Sequence, residues 1–224
     1  MNYGAPWWLP DGNTQTIWAA LRARRFIGQA PVFSRERWTT PDGDFVDVDW
    51  LGQTPAQPGL PRLASKQPLL VVFHGLEGSS ASHYAQAFAG VASRRGWACA
   101  VPHFRGCSGE LNLAPRAYHS GDFAEIDWLL RRFSSQHNGP VVAVGVSLGG
   151  NALMRWAGEM GAQAGQVVAA VASVCAPLDL AASGRAIGRG FNRRVYTRMF
   201  LKSMRPKALQ KLAQHPGLFD RERL

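Results

Sequence analysis

Ser147 is the residue whose neighbours best suit it to act as a nucleophile. It lies in Gly145-Val146-Ser147-Leu148-Gly149, entered by the apolar run Val141 to Val146 and left by a helix-like pattern. A serine on a sharp strand-to-helix turn, a nucleophile elbow, needs small flanking residues, because a Cβ two positions away on either side collides with the turn. Gly145 and Gly149 supply that room. The turn presents the hydroxyl at the carboxyl end of the strand, and the new helix aims its free N–H groups at the same spot. Acyl transfer also needs donors for the negative oxygen of a tetrahedral intermediate. The N–H of Leu148 is one candidate, and the N–H of Leu76, in His74-Gly75-Leu76-Glu77-Gly78, is the other. A serine hydroxyl is a poor nucleophile until a base takes its proton, most often a histidine held by a carboxylate. After Ser147 the chain has a single histidine, His215, in a context that reads as a helix end. His74 reads as a structural, hydrogen-bonded histidine, and Cys107 as an alternative nucleophile for which no motif places a base.

These groups must be positioned by the elements around them. Arg35 to Thr40 and Phe45 to Leu51, flanking Pro41-Asp42-Gly43-Asp44, predict a β-hairpin after an irregular aromatic- and proline-bearing arm that runs through about Pro31. Gln53 to Gln67 reads as a loop. Leu69 to Phe73, Trp97 to Val101 (broken by Pro102), Val141 to Val146 and Val167 to Val174 are short apolar runs that read as buried strands. Helix-like patterns at Tyr84 to Arg95, Asp122 to Phe133 and Leu148 to Met160 alternate with them. Strands apolar on both faces and alternating with helices predict a covered, mostly parallel sheet. Ligands of such sheets bind outside the carboxyl ends of the strands, where His74, His103, Ser147 and the loop after Cys175 converge.

Composition bounds the function classes. A chain of 224 residues, 46% hydrophobic, can bury one core. Cys99, Cys107 and Cys175 are odd in number and scattered, with no metal-like spacing, so a reducing compartment and no metal or cofactor are expected. The N-terminus lacks a secretory signal, and no apolar run approaches the about 18 residues that span a bilayer. A cytoplasmic protein is expected. The net charge of +10 is uneven: nine basic residues and no acid lie between Arg185 and Lys211. Arg185, Arg189 and Arg193 share a helical face, as do Arg194, Arg198 and Lys202. Such a surface is either a solvated helix face or a contact for anionic membrane or an acidic substrate. Nucleic acid is not expected, for want of a recognised motif and stacking aromatics.

Several stretches together resemble the YheT-like branch of the α/β-hydrolase superfamily, whose human relatives are abhydrolase-domain esterases and lipases. They are Pro6-Trp7-Trp8-Leu9-Pro10-Asp11-Gly12-Asn13-Thr14-Gln15-Thr16, Leu70 to Ser79, His103 to Glu110, Tyr118-His119-Ser120-Gly121-Asp122 and Gly145 to Asn151. The resemblance implies an α/β-hydrolase fold and a Ser-Asp-His enzyme that cleaves small-molecule or lipid carboxylic esters through an acyl-Ser147 intermediate. It divides the chain into an arm (1–33), a core (34–180) and a basic helical lid and tail (181–224). It also implies that His103 and His119 shape the site, that Arg105 stabilises a turn or meets the substrate's edge, and that Asn13 replaces a frequent histidine. The family's acid and histidine come from two strands beyond the lid, so the fold is expected to be incomplete at its C-terminal end and the activity impaired. Asp179 stands where some members place the acid, and also reads as a helix N-cap or loop carboxylate. The competing expectation is a non-catalytic remnant or binding module with a basic membrane- or anion-binding lid.

Overall fold

The computed structural model describes residues 4–22, 26–52 and 66–223. Its centre is a six-stranded sheet built from β1 (Phe33–Thr39), β2 (Phe45–Leu51), β3 (Leu69–Phe73), β4 (Ala98–Pro102), β5 (Val141–Val146) and β6 (Ala170–Val174), in the order β1-β2-β4-β3-β5-β6. β1, β2 and β4 pair antiparallel, while β4, β3, β5 and β6 run parallel. The β1–β2 hairpin closes through Gly43, whose φ of 75° a residue with a side chain rarely adopts.

Helices cover both faces. On one side α2 (His83–Arg94) lays Ala85, Ala89 and Ala92 against Leu70, Val72, Cys99, Val101 and Val144. On the other, α3 (Phe123–Gln136) and α4 (Leu148–Met160) bury Ile126, Leu129, Leu130, Phe133, Leu153 and Trp156 with Trp38, Val71, Phe73 and Ala143. Every residue of β3 is buried, as a strand covered on both faces requires. β2 alternates apolar residues with Asp47 and Asp49, yet these carboxylates are buried too. Arg37 and Arg35 on β1 bind them in bidentate fashion, at 2.7–3.0 Å.

Three expectations need correction. The arm is not irregular throughout: α1 (Gly12–Leu21) starts at Asp11, whose carboxylate accepts the N–H groups of Asn13 and Thr14 while Thr14 completes a capping box. β4 runs on through Pro102, which pairs with Val48 of β2 beyond the last residue, Ala100, that pairs with β3. The apolar run from Val167 splits. Val167 and Val168 are buried ahead of the strand, and of β6 itself only Val171 is even partly covered, because β6 is the sheet's edge among the described residues. The loop expected at Gln53 to Gln67 lies, up to residue 65, outside the described residues.

After β6 come α5 (Leu180–Ile187) and α6 (Gly190–Asn192), which continues through a π-helical turn, Arg193–Thr197, into α7 (Arg198–Gln214). The break at Gly188 separates Arg185 from the next helix, Arg189 stands extended as that helix's N-cap, and the π turn rotates Arg194 relative to Arg198. The two shared basic faces are therefore not continuous.

Candidate active site

The chain runs from β3 outward to β4 on one side and returns to β5 on the other side of β3, so a topological switch point falls between the carboxyl ends of β3 and β5. Ser147 stands there. Its φ of 54° and ψ of −118° lie outside the regions a residue with a side chain adopts freely, at a cost of about 1–3 kcal/mol. The conformation is held from both sides. The Ser147 N–H donates to the Val174 carbonyl of β6 at 2.9 Å, and its carbonyl accepts the Asn151 N–H at 3.0 Å as α4 begins.

Each flanking glycine answers a different contact. A Cβ on Gly145 would lie 2.4 Å from the Gly149 carbonyl oxygen, inside the turn. A Cβ on Gly149 would instead lie 2.5 Å from the carbonyl oxygens of Phe73 and His74. Gly149 is thus required by the packing of α4 on the end of β3, not by the turn itself. Gly75 completes the arrangement, since its Cβ would sit 3.2 Å from that of Ser147.

The loop after β3 turns back on a bond from the Gly78 N–H to the Gly75 carbonyl, 2.9 Å, with Glu77 at φ 57° in a position that usually calls for glycine. Leu76 is the residue before it. Among the described residues no acceptor bonds the Leu76 N–H or the Leu148 N–H, the first of α4.

The histidines are committed elsewhere. His74 is fully buried; its Nε2 accepts the Phe104 N–H at 3.0 Å, which leaves the proton on Nδ1, 2.7 Å from the Gly75 carbonyl. Burial pushes its pKa down to about 3, so the ring is neutral and both nitrogens are engaged. His103 Nε2 lies 2.8 Å from Asp49, which also receives Ser80 and Arg35. Burial alone would raise the Asp49 pKa, but the bonds from His103, Arg35 and Ser80 outweigh it and hold the carboxyl well below the usual range. His119 is exposed on a loop, 3.8 Å from Asp122. His215 ends α7 with Nε2 on the Leu113 carbonyl at 2.8 Å. Asp179 caps α5, accepting the Ala182 N–H at 2.8 Å. Arg105 is buried between Glu125, Asp42 and Asp44, at 2.5–2.9 Å, and ties the turn after β4 to the hairpin and to α3. The half-buried Cys107 has its thiol pushed up to about 11, chiefly by burial, which disfavours the thiolate. No hydrogen bond joins the Ser147 hydroxyl to a described side chain, and no cluster of three potential metal ligands occurs among the described residues.

Between α7, the loop of residues 111–118 and the Leu76–Glu77 turn lies a cavity of about 470 Å³. Its wall is mainly apolar, with Leu76, Leu111, Tyr118, Leu201, Met204 and Phe219. Sequence reasoning missed this cavity and the charged groups at its rim, Glu77 and Lys207, because they meet only in the folded chain.

An alpha/beta hydrolase fold family model matches residues 68–219. The chain belongs to that family. Over 183 residues it is 44% identical to the Escherichia coli protein named "Putative esterase YheT", covering 81% of this chain and 51% of that one. Human phospholipase ABHD3 is 28% identical over 170 residues, 75% of this chain and 40% of its own. The chain therefore spans about half the length, or less, of these relatives. An esterase structure from Pyrococcus furiosus superposes with a TM-score of 0.51 at 17% identity, over 75% of this chain and 63% of that one, a likeness of fold. No helix among the described residues is long and apolar enough to cross a membrane.

Proposed function

We propose that this member of the α/β-hydrolase family hydrolyses carboxylic esters through an acyl-Ser147 intermediate. The observation that carries the reading is the backbone of Ser147: a strained turn at the switch point of the sheet, with Gly75 against it and unclaimed N–H groups at Leu148 and Leu76. In the first step Ser147 Oγ bonds to the ester carbonyl carbon, its proton passes to a base, and the carbonyl oxygen becomes an oxyanion facing the two N–H groups. Collapse expels the alcohol, and water then releases the acid. His74 cannot serve as that base, since neither ring nitrogen is free, and His103, His215 and Asp179 are held in other bonds. The acid and histidine of the reaction are assigned to sequence outside the described residues. Impairment of this chain alone follows from that assignment.

A fluorophosphonate tests this directly, because Ser147 Oγ forms a bond to phosphorus as fluoride leaves. Mass spectrometry should find the label on Ser147, and Ser147→Ala should remove it; label that survives the substitution moves the nucleophile elsewhere. A chain continued through the rest of the family's length should react about 10⁴-fold faster, the scale of loss when a triad's histidine is not correctly held. Equal rates would mean that a base already stands among residues 1–224.

A second reading has its own observation. Arg185, Arg189, Arg193, Arg194, Arg198 and Lys202 are exposed and enter no ion pair among the described residues, beside exposed Phe191, Met199 and Leu201. This surface suits an anionic membrane. Binding to vesicles containing anionic lipid should exceed binding to neutral ones and fade with salt, whose screening length is about 10 Å at 0.1 M. Binding indifferent to salt would count against it.

A further inference from the structure

The residue after the candidate oxyanion donor Leu76 is gripped from two sides. The Tyr118 hydroxyl accepts the Glu77 N–H at 2.8 Å and donates to Glu77 Oε1 at 2.9 Å, so one hydroxyl fixes both the backbone and the side chain of a residue in the left-handed region. Tyr118 is itself seated on the core. Its ring stacks on Phe104 at 5.3 Å with planes 6° apart, and Phe104 packs against Phe73 and His74 at the end of β3. The second grip comes from the lid. Lys207 of α7 reaches Glu77 Oε2 at 2.7 Å, with the Glu77 carboxylate almost out of solvent and the ammonium about one-third exposed.

The same face of α7 is pinned one and two turns further on. Lys211 donates to the carbonyls of Asn112 and Ala114, and His215 bonds the Leu113 carbonyl. These two pins hold the helix on the loop of residues 112–114. Among the described residues, the ion pair of Lys207 with Glu77 ties the helix to the turn beside Ser147.

The geometry points to Lys207, acting through Glu77 and Tyr118, as a positioning residue that couples the seating of α7 to the Leu76 N–H. The coupling rests on the assignment of Ser147 as nucleophile. With α7 seated, Glu77 accepts from Lys207 and Tyr118 together, and the peptide between Leu76 and Glu77 is fixed. With α7 lifted, Glu77 keeps only Tyr118 and the turn is free to relax. The oxyanion donor is then set when α7 closes, and lost when it opens.

Lys207→Met removes the grip and leaves the other two pins of α7 in place; Lys207→Arg restores a cation. Two readouts are needed. Amide hydrogen exchange over residues 74–79, which requires no activity, should rise in Lys207→Met and return in Lys207→Arg. The rate of Ser147 labelling by a fluorophosphonate should fall about tenfold in Lys207→Met, less than the about 10²–10³ lost when an oxyanion donor is deleted outright, and recover in Lys207→Arg. On a Glu77→Gln background Lys207→Met should add no further loss. Unchanged exchange, an unchanged labelling rate, or loss that Lys207→Arg fails to rescue each overturns the coupling. Ser147-independent labelling of the unmodified chain is a distinct result: it sinks the nucleophile assignment and the catalytic half of the coupling with it, while the exchange data still decide whether α7 holds the turn.

Discussion

The two walls of the candidate site are held by different physics. On the sheet side, β3, β5 and the start of α4 approach so closely that glycines at 145 and 149 leave no room for a methyl group. Position there is dictated by backbone sterics, which neither salt nor pH alters. On the α7 side, the only buried residue of the helix is Lys211, and the helix is seated by an ion pair and by bonds to loop carbonyls. Such a seat can be lifted without disturbing the sheet. A strained serine needs the first kind of wall; the second leaves α7 tied to the site by a few polar contacts.

The comparison breaks most readily at Gly149. Alanine there puts a Cβ 2.5 Å from backbone that cannot move aside, so Gly149→Ala should cost about 3 kcal/mol or more and abolish Ser147 labelling. Gly158 lies on the same helix with open space around it, and Gly158→Ala should stabilise by about 0.5–1 kcal/mol through helix propensity. Urea denaturation of both variants decides the point. Similar stabilities would show that α4 can shift off β3 and that the sheet-side wall is softer than described.

On the α7 side, Lys211→Met removes the ammonium and leaves the Asn112 carbonyl without its partner. The expected loss is about 1–3 kcal/mol, smaller than at Gly149, with the labelling rate less affected than by Lys207→Met. A loss equal to that of Gly149→Ala would mean that α7 belongs to the cooperative core.

Acid should separate the walls as well. His74 has a folded pKa of about 3 against about 6.5 unfolded, so the unfolded chain takes up a proton first as pH falls. The stability it contributes is full above about pH 6.5 and is lost as pH drops from there toward 3, at no more than about 1.4 kcal/mol per pH unit. Urea midpoints at several pH values should decline over that window, while nitrogen NMR finds His74 neutral with its proton on Nδ1 down to about pH 4. A doubly protonated His74 at pH 5 would contradict the bond from Phe104.

How much of this was legible in the sequence follows the same division. β3 and β5 were readable because a strand buried on both faces is an unbroken apolar run, and the turn after Val146 was readable because steric demand leaves glycine as its mark. α1 was overlooked because prolines and tryptophans obscure a weak apolar pattern, although Asp11 and Thr14 spelled out its cap. The apolar stretch from Val167 misled, since a run of valines and alanines does not say which part pairs with a neighbour and which part lies at the sheet's edge. The Glu77–Tyr118–Lys207 contacts could not be read at all. Their members lie far apart in the chain, and each alone is an ordinary polar residue.

The smallest effect expected is on the basic surface of α6 and the π turn. Arg189, Arg193 and Arg194 are exposed and bonded to no acid among the described residues, so replacing all three with glutamine removes no folded-state partner. Like charges one turn apart repel by about 0.2–0.5 kcal/mol per pair at low salt. The triple variant should therefore be as stable as the parent or slightly more so, within about 0.5 kcal/mol, and the gap should close as salt screens the parent's repulsion. Thermal melts at low and high salt measure it. A clear loss of stability in the variant would show that these arginines hold α6 and α7 in place, and that these helices rest on more of their charge than the Lys207, Lys211 and His215 contacts.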